Sequence, residues 1–438
     1  MKKFIKKLVP KNFLLFYHYI VARLATVYYN SPSRKMIIIG VTGTKGKTST
    51  INFIWSSLMA GGYKTGIIST ANIRIGDKEF LNKYHMTMPG RFTIQKLMAL
   101  MVKEGCTHCI VETTSEGVQQ YRHVGIYYDI AVFTNLSPEH LEAHGGSFEK
   151  YKQMKGKMFQ TLFTSQKIIN GEKINKIIIV NSDDPAHDFF LNFKADKKIT
   201  FGQIDKADFI AEDIKETASG VEFSIGKDIF KIGILGKFNV YNALPAIIIS
   251  RLFNIDERTI TQGLLNLKSI PGRMEKIEEG QKFTVLVDYA HEKESITNVL
   301  TTANAMKNSG AKSIILLGAE GGGRDKAKRP IMGEISAKLA DYVVISNVDP
   351  YEDEPKKILE DIATAAEKFG KTRNTNLFVI EDRKDGIKKA LSIAHPGDVV
   401  LITGKGAEQS IVIGGIRSSW DDRLVVRGEL RLILNGHA

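Results

Sequence analysis

The sequence predicts an α/β protein of two domains, each built on a mostly parallel sheet with helices on both faces, behind a short helical lead segment. Three observations point there. The chain has 438 residues, more than one ordinary core organises. Near-continuous Ile/Val runs, "MIIIGVTG", "HCIVETT", "IAVFTNLS" and "KIIIVNSDDP", alternate with helical stretches, the pattern of strands buried on both faces. A second such series follows: "TVLVDYAH", "KSIILLGAEGGG", "YVVISNVDP", "NLFVIEDR" and "DVVLITGKGAE". Between the two lies "LKSIPGRMEKIEEGQKF", whose Pro-Gly turn and charge shift put a boundary at Pro271–Gly272. The expected divisions are a lead segment 1–34, a central domain 35–271 and a C-terminal domain 272–438.

The lead segment opens with Lys2, Lys3, Lys6 and Lys7 and continues as "NFLLFYHYIVARLATVYYN". No small-residue cleavage site follows, which argues against a cleaved signal. His18 and Arg23 interrupt the apolar run, which argues against a membrane span. A helix with a basic start and an aromatic face remains, docked on the protein's own body or lying in a membrane interface.

The first strand runs into "IIIGVTGTKGKT", with Gly40, Gly43 and Gly46 followed by Lys47 and Thr48. A P-loop of the commonest spacing would have glycine where Val41 stands. The context, strand then glycine loop then helix, still suits a phosphate. Backbone N–H groups and the helix start face an anion, Lys47 neutralises it, and Thr48 offers a hydroxyl to Mg²⁺. The bland alternative is a glycine-rich turn.

Cys106 and Cys109 cannot form a disulfide framework and suggest a reducing, cytoplasmic compartment. Their C-x-x-C spacing encloses His108. A single pair without a second favours buried thiols beside a strand over zinc. Residues 200–235 are more polar and alternate like hairpin strands, and 239–266 reads as helices that carry Asn239 and Asn242 three positions apart. That spacing puts both amides on one helix face, toward a ligand edge or as a cap plus a surface amide. The +13 net charge and 43% hydrophobic content describe a soluble globular protein with anionic partners. The chain has no RNP-type segment, zinc-finger spacing or dense basic-aromatic run, so nucleic acid is not expected.

"TGTKGKT" resembles the "TGTNGKT" of the Mur ligase family, with Lys45 in place of Asn, and similar motifs follow in order. "VETTSEG" resembles "EVSSHAL", "FTNLSPEHLEAHG" resembles "FTNLSRDHLDYHG", and "YKQMKGKMF" resembles a segment whose lysine is carbamylated. "LGKFNVYNAL", "PGRME" and "VDYAHEKES" also have counterparts. "GRDKAKRP", "GKGAE" and "WDDR" are similar to motifs of the branch that adds the third amino acid to the cell-wall precursor; Ala407 replaces a histidine.

The resemblance implies a central P-loop ATPase domain with a mostly parallel sheet, a Rossmann-like C-terminal domain, and ATP-dependent amide formation through an acyl phosphate. It places ATP at Gly43, Thr44, Lys45, Gly46, Lys47, Thr48 and Ser49, with Asn239, Asn242, Arg273, Asp288 and His291. Two Mg²⁺ ions fall to Thr48, Glu112, His140 and a carbamylated Lys155; Lys47, Glu112, His140 and Lys155 form the catalytic set. Acceptor contacts map to Thr87 and Ser115, and amine contacts to Arg324, Asp349, Gly404 and Glu408. Glu116 replaces a histidine. Tyr351 stands where the family's "DNPR" carries the arginine that marks diaminopimelate users, a departure from the pattern; Gly404 and Glu408, which hold the far end of diaminopimelate in the family, remain, so meso-diaminopimelate is expected, with lysine or another amine next.

The resemblance begins near residue 36, which implies a ligase without the family's N-terminal UDP-binding domain. The basic aromatic helix stands in that place, near a membrane or for another carrier. Alternatives are a ligase of the same superfamily on a cyanophycin- or folylpolyglutamate-like acid, or a non-catalytic ATP-binding subunit. Oligomeric state is not legible.

Overall fold

The computed structural model describes residues 11–84, 86–139, 141–204, 206–217, 219–323 and 326–436. They separate into two compact units. The first holds the chain up to Lys215, with Glu222–Gly233 and Asn239–Leu267; the second holds Lys268 onward, with Glu216–Val221 and Ile234–Phe238.

The first unit begins with helix α1 (Lys11–Tyr28). Its sheet is made of β1 (Ile37–Thr42), β2 (Thr65–Ile68), β3 (Asn72–Ile75), β4 (Lys78–Leu81), β5 (His108–Glu112), β6 (Ile130–Phe133), β7 (Ile177–Asn181), β8 (Lys197–Gly202) and β9 (Phe209–Ile210). They lie in the order β9-β8-β7-β6-β1-β5-β2-β3-β4. All neighbours run parallel except the β2-β3-β4 meander at one edge. That meander was not legible as strands, because its polar alternation is short.

The central place of β1 positions the site. Val41 pairs with Glu112 on one side, and Thr42 with Phe133 on the other. The chain therefore leaves β1, β5 and β6 at one edge of the sheet, the edge where ligands of parallel sheets bind. Helix α2 (Lys47–Ala60) starts directly from the glycine loop. It lies along α3 (Asn239–Leu252) and α4 (Glu257–Asn266). Ser57 shares a 2.7 Å hydroxyl bond with Ser250, and Ser56 donates to the Gly263 carbonyl at 2.6 Å. Gly263 lies so close to the α2 backbone at Ser57 that a side chain there would collide.

Below the sheet edge, Asp129 is wholly buried and accepts from two buried ammonium groups, Lys167 and Lys176. It also accepts from the Ile38 amide at 2.8 Å. One carboxylate thus ties β1 to two later segments. Burial holds the Lys167 amine down to about 8, against the pull of Asp129. A three-stranded sheet, Glu212–Thr217, Gly220–Ile225 and Asp228–Ile232, follows the main one.

The second unit has one six-stranded sheet. Its strands are β10 (Glu275–Ile277), β11 (Thr284–Asp288), β12 (Ser313–Leu317), β13 (Tyr342–Ile345), β14 (Leu377–Val379) and β15 (Val399–Thr403), in the order β10-β11-β15-β12-β13-β14. Only β10 is antiparallel. Arg383 anchors the carboxyl end of this sheet. Its guanidinium is buried and grips Asp422 at 2.8 and 2.6 Å, with two further bonds to the Asn347 and Thr403 carbonyls. Trp420 closes the cluster with a 2.7 Å bond to Asp422. The "WDDR" segment therefore serves the fold through Asp422.

Both thiols are free and buried, with Cys109 on β5. His108 beside it is buried, edge-on to the Tyr63 and Phe253 rings, and its Nε2 has no hydrogen-bond partner among the described residues. Burial pushes its pKa down from 6.5 to about 4. The unfolded chain therefore takes up a proton here that the folded chain refuses, so stability is lost as pH falls from 6.5 toward 4. A displacement of that size is worth roughly 3 kcal/mol. In His108→Phe the urea midpoint is expected to fall less steeply across this window than in the wild type. Equal slopes would remove His108 as the source; His123, also held near 4 by burial, persists in both.

Candidate active site

The glycine loop is shaped by two left-handed backbones, Gly43 at φ 153° and Gly46 at φ 78°. A Cβ on Gly43 would strike the Thr134 hydroxyl, and one on Gly46 would strike the Asn242 amide. Neither position admits a side chain. The loop is held from the end of β6. The Thr44 amide donates to the Asn135 carbonyl at 2.8 Å, and the Lys45 amide to the Asn135 side chain at 2.8 Å. The Thr134 hydroxyl and the Asn135 amide both donate to the Lys45 carbonyl. Lys45 itself turns to Glu139 in a 2.9 Å ion pair. Lys47 donates to the Thr44 carbonyl at 2.9 Å, folded back over the loop that an anion would occupy.

Glu112 leaves the end of β5 buried. Its Oε2 accepts from the Thr48 hydroxyl at 2.9 Å and from the Thr70 amide at 2.8 Å, and its Oε1 accepts from the Thr70 hydroxyl at 3.0 Å. Thr70 in turn meets Thr87 hydroxyl to hydroxyl at 2.8 Å. One carboxylate thus links the phosphate loop to the loop carrying Thr87. Sequence reasoning missed Thr70. It follows β2, and only the pairing of Ile68 with Val111 brings it beside Glu112.

Lys155, on the helix Phe148–Leu162, is buried and donates to the Gly43 carbonyl at 2.7 Å. It lies 4.4 Å from the centre of the Tyr151 ring, and Tyr151 reaches the Thr44 hydroxyl at 3.2 Å. Burial, with Lys47 adding to it, holds the Lys155 amine well below the usual lysine range. Ser115 bonds His144 at 3.0 Å, and burial lowers the His144 pKa. Nearby, Arg122 donates to the Met88 carbonyl and to Gln120. Arg91 donates to the Gln120 carbonyl and is held to about 10 by burial and by Arg122. Neither arginine was singled out from sequence.

Asn239 and Asn242 are both buried and bond each other at 2.8 Å, with Asn242 seated at Gly46. Ser49 is buried in the first turn of α2. His140 and Arg324 lie outside the described residues. Among the described residues, no group of three His, Cys, Asp or Glu side chains is arranged to hold a metal.

In the second unit, the matching edge collects the rest. Asp288 ends β11 and accepts from the Met274 and Ala290 amides at 2.7 Å each; burial raises its pKa against the pull of Arg273. Arg273 stacks 4.5 Å from the Tyr289 ring centre, and His291 bonds the Tyr289 carbonyl at 2.7 Å. Gly404, at φ 107°, reaches the Asp288 carbonyl. Beyond it, Lys405 is fully buried between Asp349 at 2.7 Å and Glu408 at 2.6 Å. Burial works against the Lys405 charge, but the two carboxylates outweigh it and keep it an ammonium. Burial raises both carboxyls. Sequence reasoning read Gly404 and Glu408 and passed over the lysine between them. Tyr351 sits at φ 54° beside Gly322.

A strand-end glycine loop with Lys47 and Thr48, joined by Glu112 to a second loop, is the geometry of a P-loop nucleotide site. Residues 41–250 match the Mur ligase middle domain, and 272–406 match the Mur ligase glutamate ligase domain. The chain is 35% identical over 416 residues to a UDP-N-acetylmuramoyl-L-alanyl-D-glutamate--2,6-diaminopimelate ligase of Geobacillus kaustophilus, covering 94% of this chain and 82% of that one. It is also 35% identical over 418 residues to a UDP-N-acetylmuramyl-tripeptide synthetase of a Roseiflexus species, covering 94% and 81%. A solved diaminopimelate ligase of the same description superposes with TM-score 0.60 at 28% identity, over 92% of this chain and 79% of that one. Folylpolyglutamate synthase of Mycobacterium tuberculosis, at 17% identity, shares the fold with TM-score 0.68 over 94% of each chain. This chain belongs to the Mur ligase family.

Proposed function

We propose that the chain is an ATP-dependent ligase that joins a diamino acid to the D-glutamyl carboxylate of UDP-N-acetylmuramoyl-L-alanyl-D-glutamate. The observation that carries this reading is Glu112, bonded at once to Thr48 of the phosphate loop and to Thr70, which meets Thr87. That arrangement suits a reaction in which a γ-phosphate and an acceptor carboxylate must meet. A carboxylate is unreactive toward amines at neutral pH. Its oxygen attacks the γ-phosphorus, ADP leaves, and the acyl phosphate forms. The amine nitrogen then attacks the acyl carbon, phosphate departs with the C–O electron pair, and the nitrogen loses a proton.

The protein's part is to hold like charges together. Lys47 and the amides at the start of α2 offset the phosphate charge. Mur ligases are ATP-dependent and use Mg²⁺. The oxygens of Thr48 and Glu112 are hard donors that fit this cation. Lys155 is the third candidate ligand, because its depressed pKa leaves the neutral amine that carbon dioxide can carbamylate. Bound there, Mg²⁺ would supply positive charge to the triphosphate. Asn239, Asn242, Arg273, Asp288 and His291 are the residues we assign to the nucleotide, and Ser115 to the acceptor.

Lys405 neutralises only one of the two carboxylates Asp349 and Glu408, and we assign the negative charge left over to an amino group of the incoming diamino acid. Tyr351 brings no charge for a distal carboxylate. Because Gly404 and Glu408 are in place for the far end of the amino acid, we still assign meso-diaminopimelate first and lysine second. The test measures phosphate release with ATP, the acceptor and each amine. Release is expected only when acceptor and a diamino acid are both present, and silence with every amine would sink the assignment.

A further inference from the structure

We propose that the outward face of α1 is a docking surface for an anionic lipid bilayer. Among the described residues, one side of this helix packs on the protein. Ala22, Ala25 and Thr26 are buried, and Thr26 lies against Gly125, where a Cβ would collide with its hydroxyl. The opposite side carries Phe13, Phe16, Tyr17, Ile20, Leu24 and Val27, each between 38% and 76% exposed. Their spacing of three and four residues makes one continuous stripe along the helix. Tyr28, 75% exposed, extends the stripe onto the body through its ring contact with Phe92, 6.1 Å between centroids. Seven large apolar or aromatic groups in one row are more than scattered surface residues explain.

The charge around the stripe selects the occupant. Residues 1–35 contain Lys2, Lys3, Lys6, Lys7, Lys11, Arg23, Arg34 and Lys35 and no Asp or Glu. In the sequence, basic residues therefore precede the stripe, follow it and, at Arg23, fall within its span. A second copy of the chain would bring the same positive segment against itself, and like charges would oppose that pairing. An anionic headgroup layer supplies the opposite sign, with acyl chains for the aromatic row.

The geometry also fixes how the bilayer is met. No described helix is long and apolar enough to cross a membrane, and α1 has one side committed to the protein. It can lie only in the plane of the interface, with tyrosines at headgroup depth. The proposal goes beyond the reaction, because it concerns where the enzyme works and uses no residue of the site.

The test is co-sedimentation of the full chain with phosphatidylcholine vesicles, with and without phosphatidylglycerol. Binding is expected with the anionic vesicles and should weaken as salt rises. The double variant Phe16→Glu/Leu24→Glu is expected to lose about tenfold or more of that partitioning. Ile204→Glu, at an exposed apolar residue away from α1, should bind as the wild type does. Circular dichroism and an unchanged melting curve show that the double variant is folded. Equal binding to neutral and anionic vesicles overturns the proposal, as does undiminished binding by the double variant or no binding by the wild type. Sedimentation velocity that shows a dimer dissolved by the same substitutions, without vesicle binding, assigns the stripe to a second copy and also overturns it.

Discussion

Lys47→Ala is expected to lower kcat by about a thousandfold, roughly 4 kcal/mol of transition-state stabilisation. The side chain is an ammonium at the end of the loop, and it rests on the Thr44 carbonyl at 2.9 Å. Phosphate oxygens compete for the same ammonium, and their charge favours them over a neutral carbonyl. In the alanine variant the loop backbone still has its bonds to Thr134 and Asn135, so ATP should bind several-fold more weakly rather than not at all. The loss therefore appears mainly in kcat, read by phosphate release at saturating ATP. A variant with near wild-type turnover would remove Lys47 from phosphoryl transfer.

The second large effect is at Lys155. Lys155→Ala is expected to lower kcat by about a hundredfold or more, the scale of losing one charge-stabilising group. The wild type should also lose activity in buffer stripped of carbon dioxide and regain it with bicarbonate. The sign of the pH dependence follows from the depressed pKa. Above its folded pKa the amine is neutral and open to carbamylation; below it the proton blocks that reaction. Activity should therefore fall on the acid side, and the fall should shift toward lower pH as bicarbonate is raised. Indifference to carbon dioxide, with Lys155→Ala still inactive, would leave Lys155 as a hydrogen-bond donor to Gly43 and remove the carbamate.

The parts of the fold visible in the sequence were those with local signals. Ile/Val runs marked β1, β5, β6 and β7 because a strand buried on both faces has no polar alternation. Gly43 and Gly46 were visible because no other residue fits their backbone. The parts that were hidden depend on which strand lies beside which. Thr70 has no motif of its own and gains its place from β2 lying against β5. Asp129 meets Lys167 and Lys176 across 38 and 47 residues of chain, a distance no periodicity spans. Lys405 was overlooked for another reason. A lysine between two glycines reads as exposed, and only the folded loop turns it inward to Asp349 and Glu408.

The parallel order of the first sheet also sorts its residues by what constrains them. The ends that lead into Gly43, Glu112 and Thr134 answer to chemistry, so even a methyl group there meets the phosphate loop or its supports. The opposite ends, where Gly62 and Gly105 face open space, answer only to folding. A family can therefore lengthen, recharge or tag one rim of this sheet freely while the other stays fixed, and α1, whose outward face we assign to lipid, belongs to the part that is free to change address without changing reaction.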